Sequence, residues 1–218
     1  MRSLVLAAIL LVAASAARGG EIDRLYVIDC GAAHDIDQSL LSPGVNVGVP
    51  IDLADNCYLV HHRTAGYLLW DTGINDRVAA LPDGLTVKAL GRTWHRSQTL
   101  AAALAGLGVK TADVRYLAIS HVHPDHVGNA DQFPDATIVM QKAEWEYGLK
   151  QPLKPFSPEQ KTELLEGDKD LFGDGSVTVL STPGHTPGHQ SLLIHLEKTG
   201  YVVLSGDAVH FKSNWDNR

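Results

Sequence analysis

Ser120-His121-Val122-His123-Pro124-Asp125-His126-Val127-Gly128-Asn129 follows a near-continuous apolar run over residues 114–119. Such a short apolar run reads as a buried strand, so the ten residues lie where a strand gives way to a loop. Three His and one Asp within six positions make a compact set of nitrogen and oxygen donors. His121 and His123, two apart, point the same way while the backbone stays extended. Pro124 breaks that extension, which lets Asp125 and His126 turn toward a neighbouring point. Two ligand clusters so close together suit two metal ions, and imidazole with carboxylate suits zinc.

Working outward, the chain keeps supplying ligands at strand ends. An apolar stretch at 177–181 leads into Thr182-Pro183-Gly184-His185-Thr186-Pro187-Gly188-His189, and another at 201–205 runs through Gly206 to Asp207. Strand ends carrying His and Asp are where metal and catalytic groups collect in sheet proteins. Further strands are predicted at 24–29, 45–49, 57–60, 67–70, 136–140 and 190–196. Helices are predicted over 97–107, with Ser97 as N-cap and Gly108 as stop, over 141–147, and over 159–166 behind Pro158. The alternation implies a layered α/β domain. No role is assigned to His189, and His61, His62 and His95 read as surface or satisfied core histidines.

The 218 residues suit one domain, and 18 Lys and Arg against 25 Asp and Glu give a charge of −7 with no basic run. Nucleic acid is therefore not an expected partner. Arg2, an apolar run from Leu4 to Ala14 and Ala14-Ser15-Ala16 read as a signal peptide over residues 1–16, leaving a periplasmic or secreted protein with no stable membrane anchor. Export permits a disulfide between Cys30 and Cys57, the two cysteines, but their apolar surroundings favour two buried thiols.

In sequence order, His121-x-His123-x-Asp125-His126, then His185, then Asp207, preceded by Asp71-Thr72-Gly73, resembles the metallo-β-lactamase superfamily. The resemblance runs from about residue 24 to the end and implies a four-layer αβ/βα sandwich over residues 21–218. It implies that His121, His123 and His185 bind a first metal, that Asp125 and His126 serve a second, and that Asp207 bridges the two. Asp71 would hold a ligand His by hydrogen bond, fixing its tautomer. The family's further His beyond the bridging Asp has no counterpart unless His210 substitutes, so the chain is expected to lack a C-terminal segment.

Within the superfamily, residues 56–59, 71–73 and 121–129 look like the lactonases that open acyl-homoserine lactone rings. The resemblance thus implies a dizinc hydrolase acting on a small cyclic ester through a metal-bound hydroxide, with Asp125, Asp207 and His210 at the chemistry. His210 stands where those lactonases carry a substrate-binding Tyr. A periplasmic β-lactamase acting on a cyclic amide, a glyoxalase II-type thioester hydrolase and an inactive metal-binding fragment are the alternatives. The short connection before residue 57 shows no flap of the kind that covers a β-lactam drug. A homodimer is compatible with such a chain.

Overall fold

Strand β1 (Ile22–Asp37) and strand β2 (Pro50–His62) form a long antiparallel hairpin whose register runs from Ile22↔His62 to Asp37↔Pro50. These and all other elements come from a computed structural model that describes residues 21–152, 156–157 and 159–216. The signal peptide expected over 1–16 lies outside the described residues. Strand β3 (Gly66–Trp70) adds antiparallel to β2. Beyond it β6 (Val114–Ala118), β7 (Thr137–Gln141) and β8 (Thr162–Leu165) add in parallel. Parallel strands need crossovers, and α1 (Leu100–Gly106), α2 (Pro124–Val127) and α3 (Lys142–Gly148) lie in the three connections. On the other side of β1 come β11 (Gln190–Leu196), then β10 (Val177–Ser181) and β9 (Lys169–Asp170), with β12 (Gly200–Leu204) on β11. A small ribbon of β4 (Leu85–Val87) and β5 (Arg92–His95) attaches to β1, and α4 (Lys212–Asp216) follows β12.

The two-residue period of the strands divides the core. Leu59, Leu69, Leu117 and Ile138 turn toward Leu100 and Leu104 of α1. Their neighbours Val60, Leu68, Ala118 and Val139 turn the other way and pack against Val177, Val179, Leu192 and Ile194. The second cluster joins the two halves of the sheet face to face, which is the expected sandwich. Among the described residues, no helix is long and apolar enough to cross a membrane.

Four local expectations are corrected. Residues 45–49 are not a strand: Gly44, Asn46 and Gly48 all have positive φ, so the segment is the turn of the β1–β2 hairpin. That hairpin is long, and Leu41 and Leu53 from it reach the cavity described below, so the sequence understated what stands over the site. Helix α1 is capped by Thr99, whose Oγ1 accepts from Ala102 N at 3.2 Å, while Ser97 Oγ donates to Asp29 instead. Residues 159–166 are not a helix, because pairing of Thr162–Leu165 with β7 overrides local preference. Finally, Cys30 and Cys57 are bonded to each other and no free cysteine is present among the described residues. The register skips from Asp29↔Asn56 to Gly31↔Asp55, so Cys30 is the extra residue of a bulge that brings its Cα to 5.8 Å from that of Cys57.

Candidate metal centre

Strands β3 and β6 are parallel, with Trp70 opposite Ala118, so their carboxyl ends deliver Asp71 and Ser120-His121 to the same edge. Asp71 N donates to Ala118 O, and Asp71 itself takes a left-handed φ of 58°. The Asp71 carboxylate accepts from Ser120 N at 2.7 Å, Ser120 Oγ at 2.8 Å and His126 Nδ1 at 2.9 Å. His121 Nδ1 faces Ser120 Oγ at 3.0 Å. With both Nδ1 atoms occupied, His126 and His121 present Nε2 to the site. Asn129 ties the turn down, donating to Thr72 O and Ile74 O and accepting from Asp76 N. Gly128 is required here: a Cβ would lie 2.4 Å from Gly73 O.

From the other half, the β10–β11 connection brings His185 and the turn after β12 brings Asp207. Gln190 N donates to Ser120 O, and its side chain donates to Ile119 O and Val139 O, docking that half against the end of β6. His121 Nε2 and His185 Nε2 stand 2.9 and 3.0 Å from His123 Nδ1. Asp207 Oδ2 lies 3.4 Å from His185 Nε2 and 3.8 Å from His121 Nε2. These four donors, all within 4.8 Å of one another, comprise the three histidines expected at a first metal and the carboxylate expected to bridge. Separations near 3 Å are what four donors about 2 Å from one ion would show. Asp207 Oδ1 faces the other way, 3.3 Å from His126 Nε2, so its two oxygens serve two points. Asp125 and His210 line the same cavity, and His210 Nε2 donates to Asp207 Oδ2 at 3.2 Å. The structure thus gathers all the candidate residues at one edge, while Asp125, His126 and His210 lie outside the tight four-donor group.

Charge balance favours cation binding. Burial pushes the His121 and His123 imidazoles down and His185 to about 4, so these rings are neutral ligands near pH 7. Burial also disfavours charge on His126, but the Asp71 and Asp207 carboxylates outweigh it and raise that ring. Asp207 is held well below the carboxylate range: its hydrogen bonds from His126 and His210 overcome the cost of burial.

Three participants acquire a role only in the structure. His189, fully buried, faces Thr182 through Nδ1 and accepts Asp207 N on Nε2 at 3.1 Å, so it seats Asp207. Gly206 has φ +53° and sits where a Cβ would be 2.8 Å from that ring, so the approach needs glycine. Glu144 of α3, fully buried, accepts from Val122 N, Thr186 Oγ1 and Gly188 N, joining the His121–His123 loop to the His185 loop. Asp55 lines the cavity, accepts from Ile74 N, and burial raises it to about 8. The partners of Asp55 and Glu144 lie far away in sequence and no motif marks either, while His189 stands at the end of the second Thr-Pro-Gly-His repeat with no role legible there.

A second group of metal-capable side chains, Glu21, His62 and Asp174, has a different explanation. His62 Nδ1 accepts from Thr64 N and Ala65 N, so the ring proton resides on Nε2 and is donated to Asp174 at 2.9 Å. No lone pair of His62 is left for a metal, in keeping with its reading as a satisfied core histidine.

Residues 51–217 match the family profile of the metallo-beta-lactamase superfamily. The chain belongs to this superfamily. Among curated metallo-β-lactamase relatives, it is 30% identical to the N-acyl homoserine lactonase AttM of Azorhizobium caulinodans over 89% of this chain and 80% of that one. It is 32% identical to an N-acyl homoserine lactonase of a Bacillus species over 90% and 80%. Among solved structures, a Bacillus thuringiensis AiiA variant with N-decanoyl-L-homoserine at its active site superimposes with TM-score 0.78 at 30% identity, over 90% of this chain and 80% of that one. The metallo-β-lactamase fold expected from the motifs is therefore the fold of this chain.

Proposed function

We propose that the protein is a dizinc N-acyl homoserine lactone hydrolase. The observation that carries this reading is the convergence of His121, His123, His185 and Asp207, the last three lining a cavity of about 530 Å³ that also has apolar walls at Leu41, Leu53 and Leu90. That volume suits a small acylated ring. The relatives named above, about 30% identical over most of the chain, hydrolyse such lactones by name. Zinc ions bound here supply Lewis acidity toward the scissile carbonyl and a water of lowered pKa. The chain's own groups do the positioning. Asp71 and Ser120 fix the presented atoms of His126 and His121, His189 seats Asp207, and His210, which donates to Asp207, stands where lactonases carry Tyr.

Turnover of N-hexanoyl homoserine lactone by zinc-loaded protein, followed by proton release, tests the reading. Loss of activity in His121→Ala is expected, with two zinc per wild-type chain. Hydrolysis of a cephalosporin in the absence of lactone turnover would overturn it. We also infer export, with residues 1–16 as leader and the domain following. The buried Cys30–Cys57 disulfide supports an oxidising compartment. Recovery of the protein in the periplasmic or secreted fraction is the expected result, and a reduced cytoplasmic form would contradict it.

A further inference from the structure

The cavity that holds the ligand set has a second polar feature away from the histidines. Arg92 and Trp94 are two apart on β5, so their side chains share one face of the strand, and both line the cavity. Trp94 is more than nine-tenths buried, and its indole Nε1 has no hydrogen-bond acceptor among the described residues. The buried Nε of Arg92 has none either, and among the described residues no carboxylate pairs with this guanidinium. Register fixes both positions: Trp94 lies between Leu85 of β4 and Ala33 of β1, and Arg92 opposite Val87. Around them the wall is apolar, with Leu41, Leu53 and Leu90.

Buried donors in folded proteins nearly always find an acceptor. Two orphaned donors on one face, beside a cavity with apolar surroundings, are what remains when the acceptor is not among the described residues. The acceptor must enter through the cavity, and a cationic guanidinium beside an indole N–H favours a planar oxyanion over a neutral group.

We propose that Arg92 and Trp94 form a subsite for an oxygen acceptor on the acyl chain of the substrate, best filled by a carboxylate remote from the scissile ring. This assignment rests on the lactone reading above and narrows it, from acyl-homoserine lactones in general to those whose acyl group is itself polar at its far end. A plain alkyl chain would cover the two donors and leave them unpaired, which is how such a site discriminates.

The test uses binding, so that it does not depend on turnover. Ring-opened N-(ω-carboxyacyl)-homoserines of four, six and eight acyl carbons, and their unsubstituted alkyl counterparts, are titrated by calorimetry into zinc-loaded protein. At one of these lengths or more, the carboxylated ligand is expected to bind about tenfold more tightly than its alkyl partner. That ratio should fall to about one in Arg92→Met and shrink in Trp94→Phe, which keeps the ring and removes its N–H. A ratio at or below one at every length, or a preference that survives Arg92→Met, overturns the proposal. Hydrolysis of N-hexanoyl homoserine lactone is measured in parallel. Its absence would strike the lactonase reading, while the binding ratio would still decide the subsite.

Discussion

Asp71 does its work through a second side chain. Its carboxylate accepts hydrogen bonds from His126 Nδ1 and the hydroxyl of Ser120, which in turn faces His121, so one group orients two candidate ligand rings. Asp71→Asn keeps the shape but offers an amide N–H where a proton must be accepted. We expect metal affinity to fall about 10–100-fold with the fold retained, as measured by competition with a chromophoric chelator. Asp55 makes a different prediction. In protein stripped of metal its folded pKa is about 8, raised by burial and by neighbouring Asp125 and Asp71 against the opposing pull of His126. The unfolded carboxyl ionises near 4. Between about pH 4 and 8 the folded state therefore keeps a proton that the unfolded state has lost, and stability falls as pH rises through that window. Asp55→Asn should remove this slope in urea melts at pH 5 and pH 8; parallel losses in both proteins would refute it. The sequence made Asp71 and the histidines legible because the motif gathers them within a few positions or beside a strand end. Asp55, Glu144 and His189 acquire meaning only once remote backbone amides or rings arrive beside them.

At the scale of elements, the same contrast separates what local pattern decides from what pairing decides. The apolar runs 57–60, 67–70, 114–119 and 136–140 are strands because a buried sheet flanked on both sides asks for little else. Residues 159–166 carry no less helical character than strand character, and only the open edge of β7 settles the matter. Residues 45–49 were misread because alternation of apolar residues says nothing of the positive φ angles that the hairpin turn demands. Helix α3 is short, yet through Glu144 it holds two ligand loops at once. Glu144→Ala leaves the Val122 and Gly188 amides buried without acceptors, and should lower stability by about 2–5 kcal/mol in denaturant melts. Glu144→Gln, which still accepts through its carbonyl, should lose less. Equal stability of wild type and Glu144→Ala would show that the loops hold themselves.

Across the whole molecule, the Cys30–Cys57 bond closes a loop of 27 residues within the β1–β2 hairpin, behind the Asp71–Gly73 turn. Removing it in Cys30→Ala/Cys57→Ala should cost about 3 kcal/mol, or about 6–12 °C in melting temperature. Because both cysteines are fully buried, reductant alone should act on the native protein only as fast as it opens. An unchanged melting temperature would show that the pairing adds nothing to the hairpin register. The sequence showed both cysteines but not the bulge at Cys30 that lets them meet.

The candidate ligands are divided between the two halves of the sheet: His121, His123 and His126 follow β6, while His185 and Asp207 come from the strands beyond β1. Along the backbone ladder those halves share one register pair among the described residues, Ile22↔Leu196, and the inter-sheet core, the Gln190 amide, Glu144 and the His62–Asp174 hydrogen bond are among the other fastenings. An ion bound at this seam is therefore a clasp as well as a reagent, and each tenfold rise in free metal above its dissociation constant adds about 1.4 kcal/mol against separation of the halves. Protease sensitivity should follow the same variable. The supply of metal around the protein would then govern how long each molecule survives as well as how fast it works.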